Sequence, residues 1–481
     1  MTPSQSLFTA GSVKSIYMVA ICGTGMTALA GMLKEAGYIV TGSDHDVYPP
    51  MSTFLSELGI HVHIGFDESH LDPVPDLVII GNAMSRGNAE IEAVLDRDIP
   101  YISLPVALRE LFIRGKYSCV VCGTHGKTTT SSLLAWVLES AGRDPGFFIG
   151  GLPENFGRGY KIGNGDVFVS EGDEYDSAFF DKGSKFLHYL PKLAILNNIE
   201  FDHADIFSSF EEIKTSFRRF INLIPRNGYL VAGWDDPTVR ELSCRAFSNV
   251  VPFGLCDDAE WTVRNIAVDF DKTEFEIFRK NDLFGQFTCP LYGEHMLKNI
   301  LAVSASAHLL GLTSDQIKHG LATFKSVRRR LEFIGEAGGV KIFDDFAHHP
   351  TAIAATVNGL KSRFPHHKVW ALFEPRTATS KRNIFTDEFV SALGEAHNVV
   401  MAPLYKEERV PQNERLDLER IKRDLEANGT NAWILPPGDQ MLEFLKSTIA
   451  ANDVVLFMSN GDFNRMPDKL FRELTIEKSD D

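Results

Sequence analysis

The segment from Ser118 to Ala141 constrains the fold more than any other part of the chain. An apolar stretch, Ser118 to Cys122, runs into Gly123-Thr124-His125-Gly126-Lys127-Thr128, and a helical pattern follows from Thr128 to Ala141. A strand, a glycine turn and a helix in that order aim backbone N–H groups and a helix dipole at one anion. Lys127 then supplies positive charge for the β- and γ-phosphates of a nucleotide, and Thr128 offers its hydroxyl to Mg²⁺. A full G-x-x-x-x-G-K-[ST] pattern would place glycine at 121, where Val121 stands; Gly123 comes two residues later, so the loop is a shortened form. The backbone of Thr124, His125, Gly126 and Thr129 belongs to the same anion cradle.

Strand and helix patterns alternate through most of the chain, which points to α/β units with mostly parallel sheets. The first unit has a strand at Ile16 to Ile21, a tight turn at Gly23-Thr24-Gly25, a helix from Met26 to Ala36, and strands at Ile39 to Thr41, Leu77 to Ile80 and Tyr101 to Ile102. The phosphate loop opens a second unit, which changes to two-residue alternation near 260–287, the mark of an antiparallel element. Arg328-Arg329-Arg330 and the flexible-looking Gly335-Glu-Ala-Gly-Gly339 read as a boundary, with a strand from Val340 to Phe343 beyond it. The expected division is a Rossmann-like domain at 1–115, a phosphate-loop ATPase-like domain at 116–334 and a second Rossmann-like domain at 335–481.

The net charge of −16 argues against a nucleic-acid surface, so anion sites must be discrete motifs. No stretch approaches the roughly 18 apolar residues needed to span a bilayer, and Met1 to Ser15 lacks the layout of a secretion signal. The cysteines at 22, 119, 122, 244, 256 and 289 are too scattered for a disulfide framework, and Cys119-Val-Val-Cys122 lies in a strand pattern without a second C-x-x-C. Free thiols fit a reducing cytoplasm. Glu477 to Asp481 reads as a frayed polar tail.

Two acidic runs follow strands, where ligands bind in open α/β sheets. Val169-Ser-Glu171-Gly-Asp173-Glu174-Tyr-Asp176 crowds carboxylates that repel one another unless a cation or donors offset them. Asn197-Asn198-Ile-Glu200-Phe-Asp202-His203 ends in an imidazole. Mg²⁺ prefers oxygen ligands, so Glu171 is the expected metal ligand beside Thr128, with His203 near a second ion or its water.

In order and spacing, GTHGKTTT, SEGDEYD, NNIEFDH, Gly293-Glu-His295-Met-Leu-Lys-Asn299, Arg330-Leu-Glu332 and Asp344-Asp345-Phe-Ala-His348-His349-Pro350 resemble the Mur ligase family over essentially the whole chain. Further resemblance lies in Tyr48 to Thr53, Asp173 to Lys182, Ser184-Lys-Phe186 and Glu374-Pro-Arg376. The resemblance implies an ATP- and Mg²⁺-dependent ligase that activates the carboxylate of UDP-N-acetylmuramate as an acyl phosphate and forms an amide bond. It implies that the acceptor is the tripeptide L-alanyl-γ-D-glutamyl-meso-diaminopimelate, taken up in peptidoglycan recycling. Lys127, His203, Arg330, Asp345 and His348 take catalytic roles by that resemblance, and His295 and Asn299 join Arg330 and Asp345 on the nucleotide. Gly23, Thr24, Gly25 and Met26 cradle the UDP diphosphate, with Asp44, Ser85, Arg86 and Asn88 as further contacts, and Arg376 grips a peptide carboxylate. One departure concerns the carbamylated lysine of many members: Lys214 is closer to His203 than the usual spacing, and Arg218-Arg219 occupy the region.

Other readings stay open. The Gly23 turn alone is compatible with NAD, since Ala28 satisfies G-x-G-x-x-G/A; L-alanine is the alternative acceptor; and a non-catalytic sensor of UDP-sugar and ATP is a third. Lys406-Glu-Glu-Arg409 reads as a solvated loop that borders the peptide site.

Overall fold

A computed structural model of the chain describes residues 13–476, apart from 205 and 270; the expected tail at Glu477 to Asp481 lies outside them. The first domain is built on five parallel strands. Ser15–Val19 is central, Ile39–Asp44 and then His61–Ile64 lie on one side, and Leu77–Ile80 and then Tyr101–Ser103 on the other. Leu77 to Ile80 is buried throughout, as in a parallel sheet covered on both faces. Strand order reverses beside Ser15–Val19, and there the Gly23 turn leads into the helix Thr24–Glu35. That crevice is where open α/β sheets take ligands.

The central domain carries a ten-stranded sheet. Tyr117–Cys122 lies in its middle, parallel to Leu193–Leu196 and Val167–Glu171. The two-residue alternation becomes three antiparallel strands, Trp261–Val268, Thr273–Arg279 and Asp282–Cys289. The helix Lys127–Ser140 packs against Glu294–Leu309, whose Leu297, Ile300, Leu301 and Ala305 are buried.

The third domain has five parallel strands with Val454–Met458 between Val340–Asp345 and Val369–Phe373, followed outward by Asn398–Met401 and Asn431–Ile434. A sixth strand, Glu332–Ala337, runs antiparallel on the Val340–Asp345 edge. This differs from the linker expected at 335–339. Gly338 and Gly339 sit at φ of 63° and 80°, so they make the tight hairpin turn that joins two strands.

The first two domains share one apolar core. Leu29, Met32 and Leu104 belong to the same buried cluster as Phe148, Tyr160 and Phe168 of the central sheet. A side chain at Gly31 would collide with the Tyr160 hydroxyl, which marks how close the two domains lie. The third domain meets the central one through polar groups and through Tyr292 and the Phe201–Phe385 ring contact, and a cavity of about 1010 Å³ lies between them. The cysteines are free thiols, as expected. Among the described residues no helix is long and apolar enough to cross a membrane.

Candidate active site

The shortened loop depends on two glycines held at left-handed φ, 130° at Gly123 and 82° at Gly126. A Cβ on Gly126 would come within 2.7 Å of Asn299 Oδ1 and 2.9 Å of Asn197 Nδ2. Thr124 N donates to Asn198 O at 3.0 Å and His125 N to Asn198 Oδ1 at 2.8 Å, so Asn198, just past the strand Leu193–Leu196, fixes the loop. Lys127 folds back over the turn and donates to Gly123 O at 2.6 Å and to Glu174 Oε1 at 3.0 Å. Burial works against its charge, but Glu174, Asp173 and Glu171 outweigh that and hold its pKa above the ordinary lysine value.

Thr128 lies in the first turn of the helix Lys127–Ser140. Its hydroxyl donates to Glu171 Oε1 at 2.8 Å, while Gly150 N donates to Glu171 Oε2 at 2.8 Å. A hydroxyl and a carboxylate are the hard oxygen donors that Mg²⁺ prefers. The donor set therefore fits Mg²⁺. Lys214 is remote from it in role: its ammonium pairs with Glu241 at 2.8 Å and Glu211 at 3.3 Å.

His203 stands at φ 55°, its Nε2 3.0 Å from Glu174 Oε1 and its Nδ1 2.9 Å from the Tyr175 hydroxyl. Burial lowers its pKa, yet Glu174 and Asp202 overcome this and raise it above the usual histidine value. Glu174 is thus the hub between Lys127 and His203, a role that the run of four acids did not reveal. Its neighbours face elsewhere, Asp173 to Lys185 at 2.6 Å and Asp176 to Lys182 at 2.6 Å.

The third domain brings three residues to the same chamber. Arg330 donates to the Thr128 hydroxyl at 3.3 Å, and its guanidinium lies over the Phe346 ring at 4.7 Å. Asp345 accepts from Leu331 N at 2.6 Å and Ala347 N at 2.7 Å; burial raises its pKa against the opposing pull of Arg330. His348 directs Nδ1 at Phe346 O at 3.0 Å and Nε2 towards Asp202 Oδ2 at 3.8 Å. Glu200, given no role beforehand, ties the domains together. It contacts His125 Nε2 at 3.2 Å, accepts from Thr351 Oγ1 at 2.7 Å and lies 3.4 Å from His349 Nδ1. The ligand atoms of His125, Glu200 and His349 all lie within 4.8 Å of one another.

His295 lies farther along the cavity, its pKa pushed down to about 4 by burial and by Lys298, and Asn299 is buried beside Gly126. Every residue expected at the nucleotide, the metal or the reacting groups lines this one cavity, except Gly123, whose carbonyl holds Lys127.

The expected UDP-sugar residues gather apart from that cavity. Thr24 and Gly25 open a helix at the crevice of the first sheet, whereas the Met26 side chain is core. Asp44 accepts from Cys22 N at 2.8 Å and His45 N at 2.7 Å, which braces the turn. The 81–88 loop lies alongside, since Gly81 N donates to Val19 O. Within it Ser85 is exposed, Arg86 pairs with Glu92 at 2.8 Å, and Asn88 caps the helix Ala89–Asp96. Arg376 stands in the third domain with its guanidinium 3.9 Å from the centre of the Tyr405 ring and 3.3 Å from Asp462 Oδ1.

Three family models tile the chain: Mur ligase family, catalytic domain over residues 15–116; Mur ligase middle domain over 121–307; and Mur ligase, glutamate ligase domain over 329–461. The chain is similar to the UDP-N-acetylmuramate--L-alanyl-gamma-D-glutamyl-meso-2,6-diaminoheptandioate ligase of Escherichia coli K12, 39% identical across 95% of this chain and 97% of that one. It is 34% identical to a UDP-N-acetylmuramate--L-alanine ligase of Anaeromyxobacter, across 95% of this chain and 97% of the relative. Among solved structures, a murein peptide ligase of Psychrobacter arcticus matches with a TM-score of 0.69 and 33% identity, covering 96% of this chain and 99% of that one.

Proposed function

The chain belongs to the Mur ligase family, and from that premise we propose that it joins UDP-N-acetylmuramate to the tripeptide L-alanyl-γ-D-glutamyl-meso-diaminopimelate at the expense of ATP. The observation that carries this reading is the single cavity in which Lys127, Thr128 and Glu171 of the central domain face Arg330, Asp345 and His348 from the third-domain side. Full-length similarity to a ligase named for the same peptide supports the acceptor. Domain roles follow: the first domain holds the UDP-sugar, the central domain holds ATP, and the third, from about residue 329, brings the peptide and closes the nucleotide site. ATP and UDP-sugar substrates place the reaction in the cytoplasm.

A carboxylate is a poor electrophile, so it must first be esterified by phosphate. The lactyl carboxylate oxygen bonds to the γ-phosphorus as the bond to the bridging oxygen of ADP breaks. The peptide amine then adds to the acyl carbon, and the tetrahedral intermediate expels inorganic phosphate, leaving the amide. Bound Mg²⁺, held by Thr128 and Glu171, supplies Lewis-acid stabilisation of phosphoryl charge. Lys127 and Arg330 line the same cavity and supply positive charge that stabilises the charge growing as the phosphoryl group moves. With Nδ1 of His348 donating to the Phe346 carbonyl, Nε2 is the basic nitrogen; it takes the proton that the amine must lose, and Asp202 Oδ2 at 3.8 Å stabilises the imidazolium formed. Closure of the third domain excludes water from the acyl phosphate.

Supplying ATP, Mg²⁺ and UDP-N-acetylmuramate with either tripeptide or L-alanine tests the assignment. Amide product with the tripeptide is expected; preference for L-alanine overturns the acceptor, and nucleotide turnover indifferent to every acceptor restores the sensor reading.

A further inference from the structure

Two consecutive residues hold His203 at both of its ring nitrogens. Nε2 lies 3.0 Å from Glu174 Oε1 and Nδ1 2.9 Å from the Tyr175 hydroxyl. The Tyr175 ring stands edge-on to the imidazole, with 4.3 Å between centroids and 62° between planes. The backbone is fixed as well. A φ of 55° is costly for a residue with a Cβ and persists only where the surroundings over-determine it. Here they do: His203 N donates to Asp202 Oδ1 at 2.7 Å, and the His203 carbonyl accepts from Ile206 N at 2.9 Å and Phe207 N at 3.0 Å.

Lys127 and His203 line the cavity, whereas Tyr175 stands behind them, outside its lining. The hydroxyl is nonetheless presented by a firm frame. Tyr175 N donates to Asp173 Oδ1 at 3.2 Å, and Lys185 N donates to Tyr175 O at 3.0 Å. The Lys185 ammonium, paired with Asp173 at 2.6 Å, lies 5.8 Å from the centre of the tyrosine ring.

The chemistry of the three groups gives this clamp a direction. A carboxylate only accepts, so the nitrogen that faces Glu174 carries a proton. What Nδ1 meets then decides whether the ring stays in that orientation. A tyrosine hydroxyl both donates and accepts, so it can bond Nδ1 as a lone pair in the neutral ring and as an N–H in the imidazolium. A ring released from Tyr175 could turn over and present the carbon Cε1 to Glu174 instead. Glu174 would then lose one of the two donors on the oxygen that also holds the Lys127 ammonium at 3.0 Å.

We propose that Tyr175 is a positioning residue for the reaction: its hydroxyl fixes the His203 imidazole with Nε2 towards Glu174, and Glu174 in turn holds Lys127 at the phosphate loop. This rests on the reading of the cavity as the ATP-consuming site and is independent of the acceptor. Tyr175 acts only through His203.

The test compares the full chain with Tyr175→Phe, which removes the hydroxyl and keeps the ring contact, so the unfolding midpoint is expected to stay at the wild-type value. With all substrates saturating, kcat for phosphate release falls roughly tenfold, while the KM values for UDP-N-acetylmuramate and acceptor change less than about twofold. In protein carrying isotope-labelled histidine, the His203 signals are identified by their loss in His203→Ala, and the Nδ1 signal shifts in Tyr175→Phe. Adding Tyr175→Phe to His203→Ala changes kcat by less than about twofold, because the hydroxyl has lost the ring it holds. Wild-type kcat in Tyr175→Phe, unmoved His203 signals, or the same tenfold loss without His203 overturns the positioning role alone. A wild-type protein that releases no phosphate with either acceptor overturns the ligase reading and the role with it.

Discussion

Lys127 and His203 meet at one oxygen: the ammonium and the imidazole Nε2 each lie 3.0 Å from Glu174 Oε1. Groups that share a partner in this way act as a unit, so their deletions do not add. Lys127→Ala is expected to lower phosphate release by about 100-fold or more while calorimetric binding of UDP-N-acetylmuramate persists. Glu174→Gln lowers it by about tenfold or more, because both cations lose the charge that positions them. The double variant falls little below Lys127→Ala. Additive losses would mean that Glu174 serves another function.

Gly126→Ala tests the loop backbone. Its φ of 82° is strained for any L side chain, and the new Cβ meets Asn299 Oδ1 at 2.7 Å. A stability loss of about 1–3 kcal/mol is expected in denaturant titration, with weakened ATP binding. Wild-type stability together with wild-type ATP affinity would show that the loop has another conformation.

The pairing of Thr128 with Glu171 makes a prediction about the ion. Glu171→Gln keeps the hydrogen-bond shape but loses the anionic ligand, so the Mg²⁺ concentration for half-maximal turnover rises about tenfold or more. Removal of Mg²⁺ by chelation abolishes turnover in the wild type and leaves UDP-sugar binding intact. A Mg²⁺ dependence unaltered by Glu171→Gln would move the ion elsewhere.

Glu200 gives domain closure a pH dependence. Burial raises its pKa, but His125, then Thr351 and His349, outweigh this and hold it at about 2 against an ordinary 4.5. A depressed carboxylate stabilises the folded, closed form above its unfolded pKa, and that contribution fades as pH falls from about 4.5 towards 2. With the side chain about a third exposed, the effect is on the order of 1–2 kcal/mol after discounting for solvent screening. Small-angle scattering should show the wild type opening over that range, with Glu200→Gln more open at neutral pH and less responsive to acid. Identical acid profiles for the two proteins would remove Glu200 from closure.

The phosphate loop and most strands were legible because the periodicity of a buried parallel sheet is written locally, one apolar run at a time. Which of several adjacent acids turns inward is not local. Glu174 and Asp173 have the same charge one residue apart, and only the packed position of Lys127 and Lys185 separates their roles. Glu200 was invisible for the same reason, since its partners His349 and Thr351 lie about 150 residues away in sequence. Gly338 and Gly339 misled in the opposite direction. Glycine in a linker and glycine in a hairpin look alike until the pairing of Glu332–Ala337 with Val340–Asp345 is seen.

The apolar core that runs through Gly31 and Tyr160 has a thermodynamic consequence. Two domains that bury a common core lose it together, so residues of the first and central sheets form one cooperative melting unit. The third domain, set off from the central one by the large cavity and with its own apolar cores, forms another. Calorimetry should then resolve two transitions, and nucleotide, which contacts both units, should raise both of them. A Gly31→Ala protein, whose new methyl group forces the shared core apart, should split the transition of the shared-core unit in two.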